Sequence, residues 1–188
     1  SFFLFTVFVS QSLKWMKNYN WKNAIFTGLS FGLVVLIRPV NGVILFIPLL
    51  FGVRFFAEFM VRLRDVFSHP KQVILVLLSI ALVVLPQLLY WHYTTGEWVY
   101  YSYTDQGFFF NDPRIMDGLF GFRKGWLVYT PMAIFSILGF FAVWFSKEAR
   151  KFKLAIPIYL AIHMYITFSW WCWWYGGGYS SRPFVESM

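Results

Sequence analysis

Between Lys71 and His92 the chain runs for twenty residues, 72–91, without a formal charge. An α-helix needs about 20 apolar residues to cross the roughly 30 Å hydrocarbon core of a bilayer. The stretch Lys71–Trp91 therefore reads as a membrane span, with Pro86 kinking it. Other apolar runs flank it, and together they make 59% of the residues hydrophobic and 24% aromatic. A soluble domain carries about 45–50% apolar residues, and one of this size has no interior to hide the excess. Lipid tails solvate that surface instead.

The charges are few and grouped. Lys and Arg exceed Asp and Glu by 8, yet the basic residues sit in short loops between apolar runs. That is the positive-inside pattern of a membrane protein rather than the basic face of a nucleic-acid binder, so no nucleic-acid partner is expected. Cys172 is the single cysteine, which excludes a disulfide framework and a cysteine metal site. Ser1 opens inside an apolar run and Met188 closes a loop, so the chain is expected to be a piece of a longer protein.

The topology follows from these loops. Residues 1–10 read as the end of a span, and Gln11–Lys22 as a cytoplasmic interfacial loop mixing Lys14, Lys17 and Lys22 with Trp15, Tyr19 and Trp21. Asn23–Val53 is too long for one span, since about 31 residues of helix measure about 46 Å. Pro39 disfavours helical geometry at Arg38, and Asn41-Gly42 is a turn signal, so a hairpin of two half-length helices is expected. Arg54–His69 is amphipathic, with Phe55, Phe56, Phe59, Met60, Leu63, Val66 and Phe67 on one face and Glu58 able to pair with Arg54 and Arg62. It reads as a helix in the cytoplasmic interface or one docked on the protein. Trp126–Phe145 and Leu154–Trp170 are further spans, separated by the basic loop Ser146–Lys153. The expected fold is all-α: a polytopic transmembrane helical bundle with a cytoplasmic interfacial helix and about five membrane-entering segments. It forms a single transmembrane domain over 1–188, with external loops at about 92–125 and 171–188.

Several residues stand out chemically. Arg38 lies between two apolar stretches, where an ionisable group is costly and marks a functional site by default. Its guanidinium can grip a lipid-linked phosphate, or it is a hairpin-tip residue reaching headgroups. Arg123 and Lys124 sit in a Gly121–Gly125 turn beside Trp126 and Tyr129, placed either to hold phosphate or to anchor a span. The segment Trp170–Pro183 combines Trp170, Trp171, Trp173, Trp174, Tyr175 and Tyr179 with three glycines, Ser180, Ser181 and Arg182. Aromatic faces stack on sugars, glycines admit a substrate close to the backbone, and Arg182 adds a cation. An aromatic belt explains the tryptophans alone. Asp105, Asp112 and Asp117 are loop carboxylates: solvated, or one of them a general base. His92 reads as interfacial, and His163 as a hydrogen-bonded core residue or a cavity wall. HExxH, CxxC pairs, a phosphate loop and DxD are missing.

Four segments in order carry a family resemblance. Gly28–Ile37 ending in Arg38-Pro39 resembles the Gly-rich helix with Arg-Pro of bacterial GT-C-type membrane glycosyltransferases, the superfamily of protein O-mannosyltransferases and aminoarabinose transferases. Pro86–Tyr90 with Thr95-Gly96-Glu97, then Gly118–Pro131, then Trp173–Gly177 to Arg182 are similar to successive segments of the same proteins. The resemblance covers roughly Trp21 to Arg182. It implies an enzyme of the bacterial inner membrane that moves a sugar, with inversion, from a polyprenyl-phosphate donor to a protein, lipid or glycan acceptor on the external face. It places the main catalytic acid in an external loop upstream of Ser1, leaving the catalytic residue outside this sequence. It leaves room for a divalent metal but supplies no ligands for one. On this reading Arg38, Arg123, Lys124 and Arg182 are candidates for contacts to donor phosphate, and Trp174 and Tyr179 for contacts to sugar. Two rival functions fit the sequence too: a transporter or flippase of a lipid-linked or small polar substrate, using broken helices, and a non-catalytic membrane subunit of an envelope complex.

Overall fold

The computed structural model describes residues 2–101, 103, 105–146, 149–175 and 183–184. Among them the fold is all-α, with no strand and one isolated antiparallel bridge between Phe108 and Trp170. The helices are α1 Phe2–Lys17, α2 Trp21–Ile37, α3 Phe46–Leu50, α4 Phe56–Phe67, α5 Pro70–Thr95, α6 Ile115–Phe120, α7 Trp126–Tyr129, α8 Ala133–Phe145 and α9 Ala155–Phe168. The chain clusters into two units, Ser1–Leu49 with Val53–Thr104, and Leu50–Gly52 with Asp105–Met188.

In the first unit α2 packs against both α1 and α5. Its start is set by Asn20, whose side-chain oxygen accepts from the Asn23 backbone N–H at 2.8 Å, a favourable cap. Its end is set by Arg38, held extended at φ −153°, ψ 120° because Pro39 disfavours a helical predecessor. The face toward α5 is glycine. A methyl built on Gly28 would collide with the Val76 carbonyl oxygen and lie 2.6 Å from Ser79 Cβ, and one on Gly32 would lie 3.0 Å from Val83 Cβ. Small residues let the two backbones approach.

The break at Arg38-Pro39 is as the sequence indicates, but the chain then forms a 3-10 helix, Pro39–Leu45, leading into the short α3. It folds back on α2, where Gly42 faces Val35 and Phe31, and it buries Asn41 and Ile44. Helix α1 extends through residues expected to be loop, ending at Lys17, because Trp15 packs against Ala24 and Val66. The C-terminal end of α4 is docked in that same cluster through Val66, while Phe56, Val61 and Phe67 are exposed. Glu58 does not form the expected ion pairs; its carboxylate accepts from the Arg54 backbone N–H at 2.7 Å, holding the loop before the helix.

Helix α5 begins with Pro70 at its first turn and stops at Gly96, at φ 79°, a left-handed position that suits glycine. It is long and apolar enough to cross a membrane by length and composition. Ser79 is its buried residue, and Leu77, Leu78 and Leu82 are more than half exposed. Helices α2 and α8 and the segment Pro39–Leu50 are apolar but shorter. Helix length among the described residues thus supports one crossing where the sequence suggests about five membrane-entering segments.

The second unit packs around Trp126, Ala133, Phe168 and Phe184. Residues 126–145 do not form one continuous helix. Thr130, preceding Pro131, leaves helical geometry at ψ 74° and separates α7 from α8, again the steric effect of proline on its predecessor. Gly118 lies so close to the Phe168 ring that a methyl there would overlap it. His163 is buried, stacked on Tyr159 at 5.6 Å and edge-on to Phe184 at 5.3 Å, with Nε2 3.3 Å from the Pro183 carbonyl. It is a core histidine.

Candidate functional site

The second unit presents an aromatic cleft of about 390 Å³, whose wall includes Phe109, Asp112, Arg114, Trp171, Trp173 and Trp174. Two chain segments form it. Residues 107–114 lie along 168–171, stitched by backbone hydrogen bonds: Phe109 N–H to Ser169 O at 2.6 Å, Trp171 N–H to Gly107 O at 3.0 Å and Arg114 N–H to Phe168 O at 3.0 Å. Side chains reinforce the seam. Tyr165 Oη donates to Phe110 O across it at 2.7 Å, and within the second segment Tyr175 Oη donates to Thr167 O at 3.0 Å. Phe108 packs edge-on against Trp170 at 4.7 Å. The seam fixes the aromatic wall and the charged residues opposite it in one frame, the condition for a preorganised site.

The charges in and beside the cleft form a chain. Arg114 Nη2 lies 2.8 Å from Asp112 Oδ2, and Nη1 lies 3.8 Å from Asp117 Oδ2. Arg114 and Asp117 are about half exposed and Asp112 more so, so the pairs contribute little to stability and their polar atoms stay within reach of a ligand.

A turn supplies a further cation. Gly125 N–H donates to Gly121 O at 2.7 Å, and a methyl on Gly125 would lie 2.6 Å from that same oxygen, so glycine is required there. Lys124 takes a left-handed φ of 83°, which is uncommon outside glycine. Tyr129 Oη donates to Phe122 O at 2.5 Å and pins the turn to α7. The result is that Arg123 sits over the Trp174 ring, 3.9 Å from its centroid, a cation–π contact. The chain matches no family model, no curated protein and no solved structure.

Of the residues singled out in the sequence, Arg123 and Trp174 are thus brought into direct contact, with Lys124 next to them. Arg38 belongs to the first unit, at the C-terminal end of α2, half-buried and with no side-chain hydrogen bond or ion pair among the described residues. Tyr179 and Arg182 lie outside the described residues. Phe109, Arg114 and Phe168 were not anticipated. The signal for Arg114 was its place between Asp112 and Asp117, two and three residues away. Among the described residues no cluster of three His, Cys, Asp or Glu is placed to hold a metal ion.

Proposed function

We propose that the chain belongs to a membrane glycosyltransferase, multi-pass in the bacterial inner membrane, that moves a sugar from a polyprenyl-phosphate donor to an acceptor on the external face. The observation that carries this reading is the Arg123 guanidinium on the face of Trp174 at the edge of an aromatic cleft. A sugar phosphate needs a cation for its anionic part and flat apolar faces for its ring. Both stand side by side here. The long exposed apolar helix α5 is in keeping with a lipid-borne donor. The cation stabilises the departing phosphate, and the indole beside it orients the donor's sugar ring. No catalytic base is assigned among the described residues.

Sugar transfer from a polyprenyl-phosphate donor by the full chain in membranes tests it. Arg123→Ala should lower transfer by about tenfold or more, the value of one charge-assisted contact, with Arg123→Lys recovering part of the loss. Equal rates in all three proteins would remove Arg123 from the donor site.

One observation favours a second reading, a transporter or flippase. Helix α2 is interrupted at Arg38, and the chain folds back on it as a 3-10 helix, and interrupted helices bearing a charge line transport sites. Vesicle uptake that needs Arg38, with no sugar transfer, would select it.

A further inference from the structure

The interior of the cleft is ill suited to the phosphate of the proposed donor. Its cation, Arg114, is shared by Asp112 at 2.8 Å and Asp117 at 3.8 Å. The charges lining the cleft, Asp112 and Arg114, cancel, and Asp117 beside them also draws on Arg114, so the cleft offers no uncompensated cation to a phosphate. Arg123 does not line the cleft, and it covers one face of Trp174. What the cleft offers is different: indole and phenyl faces, a carboxylate that accepts hydrogen bonds and a guanidinium that donates them. An ionised carboxylate has about four acceptor positions, so Asp112 can serve Arg114 and a ligand hydroxyl together. Apolar ring faces and hydroxyl edges in one molecule describe a neutral pyranose.

We propose that the cleft between residues 107–114 and 168–174 holds a neutral hexopyranose ring of the acceptor glycan, with Asp112 accepting from its hydroxyls, Arg114 donating to them and Trp171 stacking on its face. This rests on the glycosyltransferase reading and divides the labour within the unit. Arg123 faces the anionic donor, and the Asp112–Arg114 pair selects the acceptor. The seam of backbone bonds from Phe109 and Trp171 holds the selecting pair against the stacking wall.

Two experiments on the full chain in lipid nanodiscs test it. The first follows tryptophan fluorescence during titration with neutral methyl hexosides. A hexoside should perturb the emission saturably, inorganic phosphate at equal concentration should not displace it, and Asp112→Asn should weaken binding about tenfold. Asp112 is well exposed, so the isosteric variant should fold, and Trp171→Ala provides a second lesion that should also weaken binding. Displacement by phosphate, unchanged affinity in both variants, or binding of a quaternary ammonium ion in place of any hexoside would overturn the proposal. The second measures transfer, where Asp112→Asn should raise the acceptor KM and leave the donor KM unchanged. Transfer with an unaltered acceptor KM would remove the acceptor subsite and keep the transferase. Hexoside binding that depends on Asp112, in a protein without any transfer, would keep the neutral-sugar site and remove the transferase.

Discussion

The Tyr19 phenol donates to Asp65 Oδ2 at 2.6 Å, and its ring stacks on His69 at 3.8 Å, 14° from parallel. These contacts tie the turn after α1 to the end of α4, beside the buried Trp15. Burial first, then the hydrogen bond and negative charge of Asp65, push the Tyr19 hydroxyl well above its ordinary 10.0, with Arg62 pulling the other way. A group whose folded pKa is raised contributes fully below its unfolded value and loses that contribution as pH rises past it. The latch is therefore intact up to about pH 10 and weakens above it. Tyr19→Phe keeps the stacking and removes the donor. It should cost about 1 kcal/mol below pH 10, and the gap to the parent should close in more alkaline solution. Melting temperatures of both proteins between pH 8 and about pH 11.5 measure this, and a gap that widened with pH would contradict the assigned hydrogen bond.

At the scale of helices, the α2–α5 contact depends on what is missing at Gly28. A methyl there would strike the Val76 carbonyl and Ser79, and a backbone atom cannot rotate away as a flexible side chain can. Gly28→Ala should destabilise the first unit by about 1–3 kcal/mol, the usual cost of overpacking. Gly42→Ala is the control, since its methyl would meet Val35 at 3.6 Å, an ordinary contact. Heating in mild detergent should separate the two variants, and equal melting would show that α2 and α5 do not rely on this approach. Helix limits set by local chemistry were legible in advance: Pro39 stops α2, and α5 fills the uncharged run. Limits set by packing were not. Hydropathy reads residues 126–145 as one span because it sees no difference between Trp126, which enters the core of its unit, and Phe135, which is exposed. It ends α1 early because Ser12 and Trp15 look interfacial until α2 covers them. Glu58 shows the same limit, since spacing offered it two arginines and the backbone N–H of Arg54 took it instead.

For the whole molecule, the candidate site was legible residue by residue but not as a place. Arg123 and Trp174 were each marked by their neighbours, yet fifty-one positions separate them. Their contact exists because the stretch 107–114 is laid along 168–171, a pairing that no local pattern encodes. Charge, by contrast, reads along the entire chain. Lys71 stands at one end of α5 with Arg62 and Arg64 shortly before it, and Glu97 follows the other end. A 26-residue helix measures about 39 Å, enough for a hydrocarbon core of about 30 Å, and the charge rule predicts its basic end on the cytoplasmic side. Single cysteines at Ser68 and Glu97, in a chain carrying Cys172→Ser, turn this into a measurement. In right-side-out vesicles a membrane-impermeant maleimide should label Glu97→Cys at once and Ser68→Cys only after the membrane is opened. Labelling of both without permeabilisation would mean that α5 does not cross the membrane, and the lipid-borne donor would lose its structural support. The opposite order would keep the crossing but turn the α5 end that carries Glu97 to the cytoplasm, against the charge rule.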